Sequence, residues 1–219
     1  MKPESLPQPT PATEAHWVQG ELVRSFMRTQ RDTQWVGPLL MALVVGVLWG
    51  DVPLAILAGW LCAGLAVAGF RFWLVRRYEG EVLHAGADAH IAFFRRHQLA
   101  WPAAAAVWGL TTLLYFDRSS LADQFICWLT IAGLGMFSMN SLATQLATMR
   151  AYLDTLAMSA LTVVAWRMGV ELELRGPTYH WWLVLLLLGF WQLLRYAGQR
   201  LHHTHRRNFE VEFRNAQLI

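Results

Sequence analysis

Residues 179–216 read "YHWWLVLLLLGFWQLLRYAGQRLHHTHRRNFEVEFRNA". The first twenty of them are almost all apolar, and about 20 helical residues cross the 30 Å of hydrocarbon in a bilayer. From residue 199 onward the sequence is strongly charged, yet it contains no proline or glycine and stays compatible with a helix. We therefore expect a membrane-spanning helix that continues into an aqueous compartment.

The composition indicates a protein whose solvent is the lipid bilayer. Of the 219 residues, 55% are hydrophobic, 15% are charged and 12 are tryptophan, which is unlike an average soluble domain. The net charge is +3, and the basic residues lie in the expected loops. Their positions indicate orientation in a membrane. We therefore expect no nucleic-acid partner. The first 34 residues are polar and lack the pattern of a secretory signal peptide.

Six apolar segments are candidate spans. In lipid, every backbone polar group needs a hydrogen-bond partner, so such segments form helices. They cover Trp35–Trp49, Val52–Trp73, Leu99–Phe116, Phe125–Leu146, Tyr152–Val170 and Tyr179–Gly198. We predict an all-α, polytopic membrane protein with three parts: a polar tail and amphipathic helix (1–34), six transmembrane helices (35–198) and the start of a cytosolic signalling helix (199–219).

Basic residues accumulate on one side of these six spans. They precede the first span, lie between the second and third and between the fourth and fifth, and follow the sixth. The opposite connections contain only Arg118 and Arg175. Because Lys and Arg concentrate in cytoplasmic loops, we predict a multi-pass membrane protein with both termini in the cytoplasm.

An amphipathic segment precedes the first span. In residues 13–34, Trp17, Leu22 and Phe26 recur at helical spacing beside Arg24 and Arg28. This pattern is typical of a helix that lies on the inner leaflet with its apolar face in the lipid.

Polar and sulfur-containing side chains on the fourth and fifth spans form the predicted ligand site. Flexible thioethers with a few hydrogen-bonding groups suit a small amphipathic ligand. The candidate residues are Met136, Met139, Asn140, Asp154, Met158 and Thr162. Hydrogen bonding between helices explains the same residues without any ligand, and this alternative stays open.

The sequence shows no catalytic or metal-binding grouping with a convincing spacing. The densest histidine group, His202, His203 and His205, occupies neighbouring helical positions that point apart, and no nearby Cys, Asp or Glu completes a ligand set. We expect no metal, no cofactor and no catalytic residue in these 219 residues.

The segment after the sixth span is the predicted signal relay. It begins at Arg195, and Leu201, Phe209 and Phe213 are possible seam positions of a short coiled coil amid charged residues. A rigid helix of this kind transmits a rotation or a shift of the last span, and coiled coils of this type join homodimers.

Two stretches carry a resemblance to a known group of proteins. Residues 94–152, "FRRHQLAWPAAAAVWGLTTLLYFDRSSLADQFICWLTIAGLGMFSMNSLATQLATMRAY", and residues 176–219 resemble the N-terminal membrane sensor region of bacterial hybrid histidine kinases. The layout is similar to kinases that sense fatty-acid-like or hydroxy-ester quorum signals, and to related diguanylate cyclase sensors. The resemblance implies homodimers, no cofactor in the membrane part, and a downstream cytosolic kinase or response-regulator module. It also implies a location in the bacterial inner membrane, and it implies no particular binding residues.

The function predicted from the sequence is therefore a membrane-embedded sensory input module of a two-component sensor kinase. It would detect a small amphipathic, quorum-type signal and relay it through the last helix, with no enzyme activity in these residues. A small-molecule transporter or channel is the main alternative. A membrane-embedded enzyme and a structural anchor for a catalytic domain are weaker alternatives.

Overall fold

A computed structural model describes residues 11–116, 118–175 and 181–216, and the regular structure in these ranges is helical, which confirms the predicted class. The described residues form nine helices: α1 (Pro11–Thr33), α2 (Val36–Val47), α3 (Leu54–Glu81), α4 (Ala87–His97), α5 (Ala100–Leu110), α6 (Thr112–Tyr115), α7 (Leu121–Leu142), α8 (Leu146–Arg175) and α9 (Trp181–Ala216).

Four of these helices are long and apolar enough to cross a membrane. They are the helices over Leu54–Glu81, Leu121–Leu142, Leu146–Val170 and Trp181–Asn215. At 1.5 Å per residue, the 28 residues of α3 extend over about 42 Å, which exceeds the hydrocarbon thickness. The second, fourth, fifth and sixth predicted spans correspond to these four helices.

The first and third predicted spans form shorter helices. Helix α2 has 12 residues and is about 18 Å long. The third segment is divided at Thr111 into α5 and α6, where the Thr112 hydroxyl donates to the Gly109 carbonyl oxygen at 2.8 Å. Such side-chain bonds to the preceding turn compete with the backbone bonds of a helix. The structure therefore supports four spans, and six stays a prediction.

Helices α2 and α3 are joined by a tight turn. Gly50 has φ +103°, a left-handed conformation that glycine adopts without a steric penalty. The Asp51 amide donates to the Leu48 carbonyl oxygen at 3.2 Å. This turn makes α2 and α3 an antiparallel pair.

Helices α5 and α8 pack against each other most closely. A Cβ atom at Gly109 would lie 2.6 Å from the Leu156 carbonyl oxygen and would overlap the Ser159 side chain. A glycine lets two helix backbones approach at this distance, as in other membrane bundles. The centre of the bundle is therefore this α5–α8 crossing.

Helix α1 packs on the bundle with the face that was expected to lie in lipid. Phe26 is fully buried, and its ring contacts Phe94 of α4 and Trp101 of α5 at centroid distances of 5.2 and 4.9 Å. Val18, Leu22, Val23 and Met27 of this face are also buried, and Trp17 is half-buried. The apolar face that predicted contact with the leaflet therefore contacts protein.

Helix α9 is continuous from Trp181 to Ala216. Its 36 residues extend over about 54 Å, and the helix has no break at Ala197 or Gly198, where the sequence turns from apolar to charged. Gly198 is buried against Met149 of α8 and Met139 of α7. The apolar and charged halves of this helix are therefore mechanically one element.

Candidate functional site

Three of the six predicted ligand residues share one groove. Asp154, Met158 and Thr162 of α8 line an open space of about 450 Å³ beside Leu110 of α5. The Met158 side chain is 54% exposed, and the Thr162 hydroxyl donates to the Met158 carbonyl oxygen at 2.7 Å. This groove lies on the outer surface of the bundle.

The other three predicted residues lie on α7, away from that groove. Met136 and Asn140 are exposed, and the Asn140 amide donates to the Met136 carbonyl oxygen at 3.3 Å. Met139 is half-buried beside Gly198 of α9. The six residues are therefore not brought together in one pocket, and a binding role for any of them stays a prediction.

Asp154 joins α8 to α9. Its carboxylate lies 3.2 Å from the Arg195 guanidinium and accepts a 2.9 Å hydrogen bond from the Trp191 indole. The Arg195 guanidinium in turn lies 5.1 Å from the centroid of the Trp191 ring. Asp154 is a predicted ligand residue and Arg195 a predicted relay residue, and the structure makes them direct partners.

A second polar group is buried where α1 crosses the bundle. The Gln30 side chain, 2% exposed, accepts hydrogen bonds from Arg71 at 2.6 Å and from the Trp101 indole at 2.9 Å. Its amide nitrogen donates to the Ser141 carbonyl oxygen at 3.3 Å. We call Gln30, Arg71 and Trp101 the Arg71 cluster; it connects α1, α3, α5 and α7.

The charge of Arg71 is not neutralised by the residues around it. In the part of the chain that the structure describes, Arg71 contacts the neutral Gln30 amide and the Trp101 ring but forms no ion pair with a carboxylate. Its Nε atom is buried and has no hydrogen-bond partner. A desolvated charge without an opposite charge costs several kcal/mol. The Arg71 cluster is therefore a place where an anion would be stabilised.

A cavity adjoins the Arg71 cluster. Its volume is about 50 Å³, and residues of α1, α2, α3, α5, α7 and α8 line it. Its polar lining includes Gln30, Gln34, Arg71, Ser138, Ser141 and Tyr152, and its apolar lining includes Met41, Val67, Leu134 and Phe137. A space of this size holds a small polar group or a few water molecules.

The depth of Arg71 within an apolar segment marks it as a candidate in the sequence. Assigning the basic residues to loops hides this feature. By that criterion Arg71 belongs with Arg76 and Arg77 at the inner end of a span. It lies five residues before Arg76, inside the apolar run "AGFRFWLV", and a cation at that depth is a functional candidate. Gln30 and Trp101 lie 41 and 30 residues away from Arg71 in sequence, so only the fold brings the three together.

The charged half of α9 packs on α1. The rings of Trp17 and Phe213 lie 5.2 Å apart, and the Arg214 guanidinium donates to the Glu14 carboxylate at 3.1 Å. Of the other predicted relay positions, Leu201 packs at the edge of the core and Phe209 is half-buried. The predicted seam residue Phe213 thus has a partner within its own chain.

The histidines of α9 do not gather around a common point. His202 donates to the Ala143 carbonyl oxygen at 2.8 Å, with its ring centroid 5.9 Å from that of His203. Among the described residues, no three His, Cys, Asp or Glu side chains are placed to hold a metal ion.

The resemblance to sensor-kinase membrane regions rests on residues 94–152 and 176–219 of the sequence. No protein-family model, no curated protein and no solved structure matches this chain.

Proposed function

We propose that this chain is the membrane-embedded sensory module of a bacterial two-component signalling protein, and that α9 carries the signal out of the membrane. The observation that supports the proposal is the continuity of α9 over Trp181–Ala216. A helix of about 54 Å that is apolar in its first half and charged in its second connects events in the lipid with the cytosol.

The apolar and the charged half of α9 make different contacts with the rest of the bundle. In the apolar half, Asp154 holds Arg195 and Trp191, and Leu194 is buried against the bundle. In the charged half, the contacts with α1 include the Trp17–Phe213 ring pair and the ion pair between Glu14 and Arg214. A change in packing around Arg195 would therefore shift the cytosolic end of the same helix.

The finer features of the proposal come from the sequence. The module would have six spans, lie in the inner membrane with both termini in the cytoplasm, detect a small amphipathic signal, and act as a homodimer on a cytosolic kinase or response-regulator module. The basic residues flanking the spans support the orientation. The helices α2 and α5–α6 are short. Each would therefore cross the membrane only together with the residues that flank it.

Insertions at the end of α9 test this proposal. The chain would be fused ahead of a histidine kinase core, and alanines would be inserted after Asn215. Each inserted residue rotates the kinase core by about 100° relative to α9, so two residues give about 200° and seven return to within about 20°. We expect autophosphorylation to change strongly with two inserted residues and to return towards the parent level with seven.

Equal autophosphorylation with two and with seven inserted residues would contradict relay through a rigid helix. A second comparison separates a sensor from an anchor. Residues 1–198 would be replaced by an unrelated six-span bundle, and kinase output would be measured with and without culture extract. If residues 1–198 act as a sensor, their replacement abolishes the response of the kinase to the extract. If they act only as an anchor, their replacement leaves the kinase output unchanged.

One observation favours the alternative of a transporter or channel. The interruption at Thr111 divides the third predicted span at a buried position, and discontinuous helices often line transport sites. The groove that contains Asp154 lies beside Leu110, next to this interruption. Substrate flux in proteoliposomes that disappears with Asp154→Asn would favour transport over sensing.

A further inference from the structure

We propose that the cavity beside the Arg71 cluster is a binding site for one small monovalent inorganic anion, of the size of chloride or bromide. The anion would lie between the guanidinium of Arg71, the side-chain amide of Gln34 and the first backbone amides of α2. The inference goes beyond the proposed sensory function and does not depend on it, because the bound anion would stabilise the helical bundle itself.

The first argument is the charge of Arg71. Its guanidinium donates to the Gln30 amide oxygen at 2.6 Å and lies 5.8 Å from the centroid of the Trp101 ring. Neither group carries a negative charge, and the buried Nε has no hydrogen-bond partner. Among the described residues that line the cavity, none is Asp or Glu. An anion in the cavity would therefore balance a positive charge that is costly to bury alone.

The second argument is that helix α2 begins at the same cavity. Val36 and Gly37, its first two residues, line this space. The backbone amides in the first turn of a helix lack acceptors within the helix, and the helix start carries roughly half a positive charge. Helix α2 has no side-chain cap at Trp35 and no acidic residue in its first turn. The start of α2 therefore adds to the positive potential of Arg71, and such helix starts bind anions.

The third argument is the side-chain amide of Gln34, between α1 and α2. Gln34 lines the cavity, and its buried oxygen atom has no hydrogen-bond partner. A half turn of the amide exchanges its oxygen for its NH₂ group, with almost no change in shape. In that orientation the amide donates to an anion from the position where the unpaired oxygen lies. Two side chains from different parts of the fold, Arg71 and Gln34, thus offer donors to one cavity.

The hydroxyl groups of the cavity are engaged within the chain and are not needed as donors. The Ser141 hydroxyl donates to the Ser138 carbonyl oxygen at 3.3 Å. The side chains of Ser138 and Tyr152 interact with each other. The anion would therefore be held by Arg71, by Gln34 and by the start of α2.

The size and the lining of the cavity select the class of anion. Its volume of about 50 Å³ holds one small ion. Much of the remaining lining is apolar, with Met41, Val67 and Leu134 among its residues. The cost of moving an ion out of water into such surroundings rises with the square of its charge. A monovalent halide or nitrate therefore fits the site better than sulfate or phosphate.

Thermal unfolding of the full chain in an uncharged detergent tests the proposal. Gluconate would be replaced by chloride, bromide, nitrate or sulfate while the ionic strength is kept constant. We expect the unfolding midpoint to rise with chloride, bromide and nitrate and then to level off, because a ligand of the folded state stabilises it by mass action. Sulfate stabilises proteins in general through exclusion from their surface. A larger rise with bromide than with sulfate would therefore identify a bound ion.

Two pairs of matched variants assign the effect to the cavity. Arg71→Gln removes a charge-assisted hydrogen bond and should bind chloride roughly 10-fold more weakly, whereas Arg76→Gln, at an exposed position of the same helix, should behave like the parent. Gln34→Glu places a carboxylate in the cavity. It should be more stable than the parent in gluconate and should show no further rise with chloride. Gln98→Glu, at an exposed position, is its control. Gln34→Glu remains informative if Arg71→Gln does not fold.

Anomalous X-ray diffraction from crystals grown in bromide would locate the ion. We expect a bromide peak within hydrogen-bonding distance of the Arg71 guanidinium in the parent protein and no such peak in Gln34→Glu.

Three results would overturn the proposal. The first is a midpoint that follows the general order of salts, with sulfate above chloride and bromide. The second is an equal rise with chloride in the parent and in Gln34→Glu. The third is bromide bound only elsewhere on the protein, which would assign the cavity to water. A bound anion without any effect on kinase output would leave this inference intact, because the proposed sensory function is tested separately.

Discussion

Asp154 is the residue through which two membrane helices are joined by charge. Its partner Arg195 is on α9, and the two side chains are 37% and 28% exposed. The hydrogen bond from Trp191 supports the same geometry. The pair therefore favours one rotation of α9 relative to α8.

Replacing Asp154 by asparagine tests the strength of this connection. Asp154→Asn keeps an acceptor for the Trp191 indole and removes the ion pair with Arg195. Partly exposed pairs contribute about 0.5–1 kcal/mol. A double-mutant cycle of Asp154→Asn with Arg195→Gln, measured by unfolding in detergent, should give a coupling energy of this size. A coupling energy of zero would mean that the pair does not hold α8 to α9.

His90 of α4 gives the stability of the protein a dependence on pH. Its side chain is 2% exposed and shares a 2.7 Å hydrogen bond with the Tyr78 hydroxyl. Burial lowers the pKa of His90 below its ordinary value of 6.5, and the positive charge of Arg24 lowers the pKa further, while Glu21 opposes the effect. The unfolded chain therefore binds a proton at His90 more readily than the folded protein does.

The sign of this effect gives a second prediction. The contribution of neutral His90 to stability is present above pH 6.5 and is lost as the pH falls through the lowered folded-state pKa. The free energy of unfolding should therefore fall less between pH 7 and pH 5 in His90→Asn than in the parent protein. His203→Asn, at an exposed position, is the control. Identical pH profiles for the parent and His90→Asn would contradict the assignment.

At the scale of single residues, the sequence predicted chemical types better than partners. Asp154 stood out because a carboxylate in an apolar helix is costly. Arg150 stands four residues earlier on the same helix, yet the structure pairs Asp154 with Arg195 of α9. Helical spacing reveals neighbours on one helix, but the partner on another helix depends on how the two helices pack.

Among the helices, the α5–α8 crossing depends on one glycine. Gly109→Ala would place a Cβ atom 2.6 Å from the Leu156 carbonyl oxygen, and a backbone atom cannot move aside alone. Overpacking of this kind costs about 1–3 kcal/mol. We expect Gly109→Ala to lower the midpoint of thermal unfolding in detergent. The control Gly133→Ala, which has open space beside it, should leave the midpoint unchanged or raise it.

At the same scale, apolar composition located the helices but not their lengths. The segment 99–116 has the hydrophobicity of a span, yet the buried residues Thr111 and Thr112 interrupt it. Threonine hydroxyls bond either to the preceding turn or to a neighbouring helix, and the sequence does not distinguish these outcomes. The continuity of α9 was easier to predict, because no proline or glycine follows Gly198 before residue 216.

For the whole molecule, α1 holds several helices together. It contacts α4 and α5 through Phe26, α3 through Gln30 and Arg71, and α9 through Trp17 and Phe213. The amphipathic pattern of α1 was evident in the sequence. Its partner was predicted as lipid and is protein, because an apolar face has the same pattern in both environments.

Truncation of Phe26 tests this role of α1. The Phe26 side chain is fully enclosed by protein atoms, so Phe26→Ala should lower the free energy of unfolding by about 3–5 kcal/mol. Phe70→Ala on α3 is the control, since Phe70 is 47% exposed on the outer surface. Similar losses of stability for the two variants would show that α1 is not part of the packed bundle.

The continuity of α9 across the membrane boundary is tested most directly by hydrogen–deuterium exchange of the full chain in nanodiscs. The amides of residues 195–205 are predicted to exchange slowly, because each donates to a carbonyl one turn earlier in an unbroken helix. Exchange at the rate of an unstructured peptide around Ala197 and Gly198 would contradict the relay of a signal from the lipid to the cytosol.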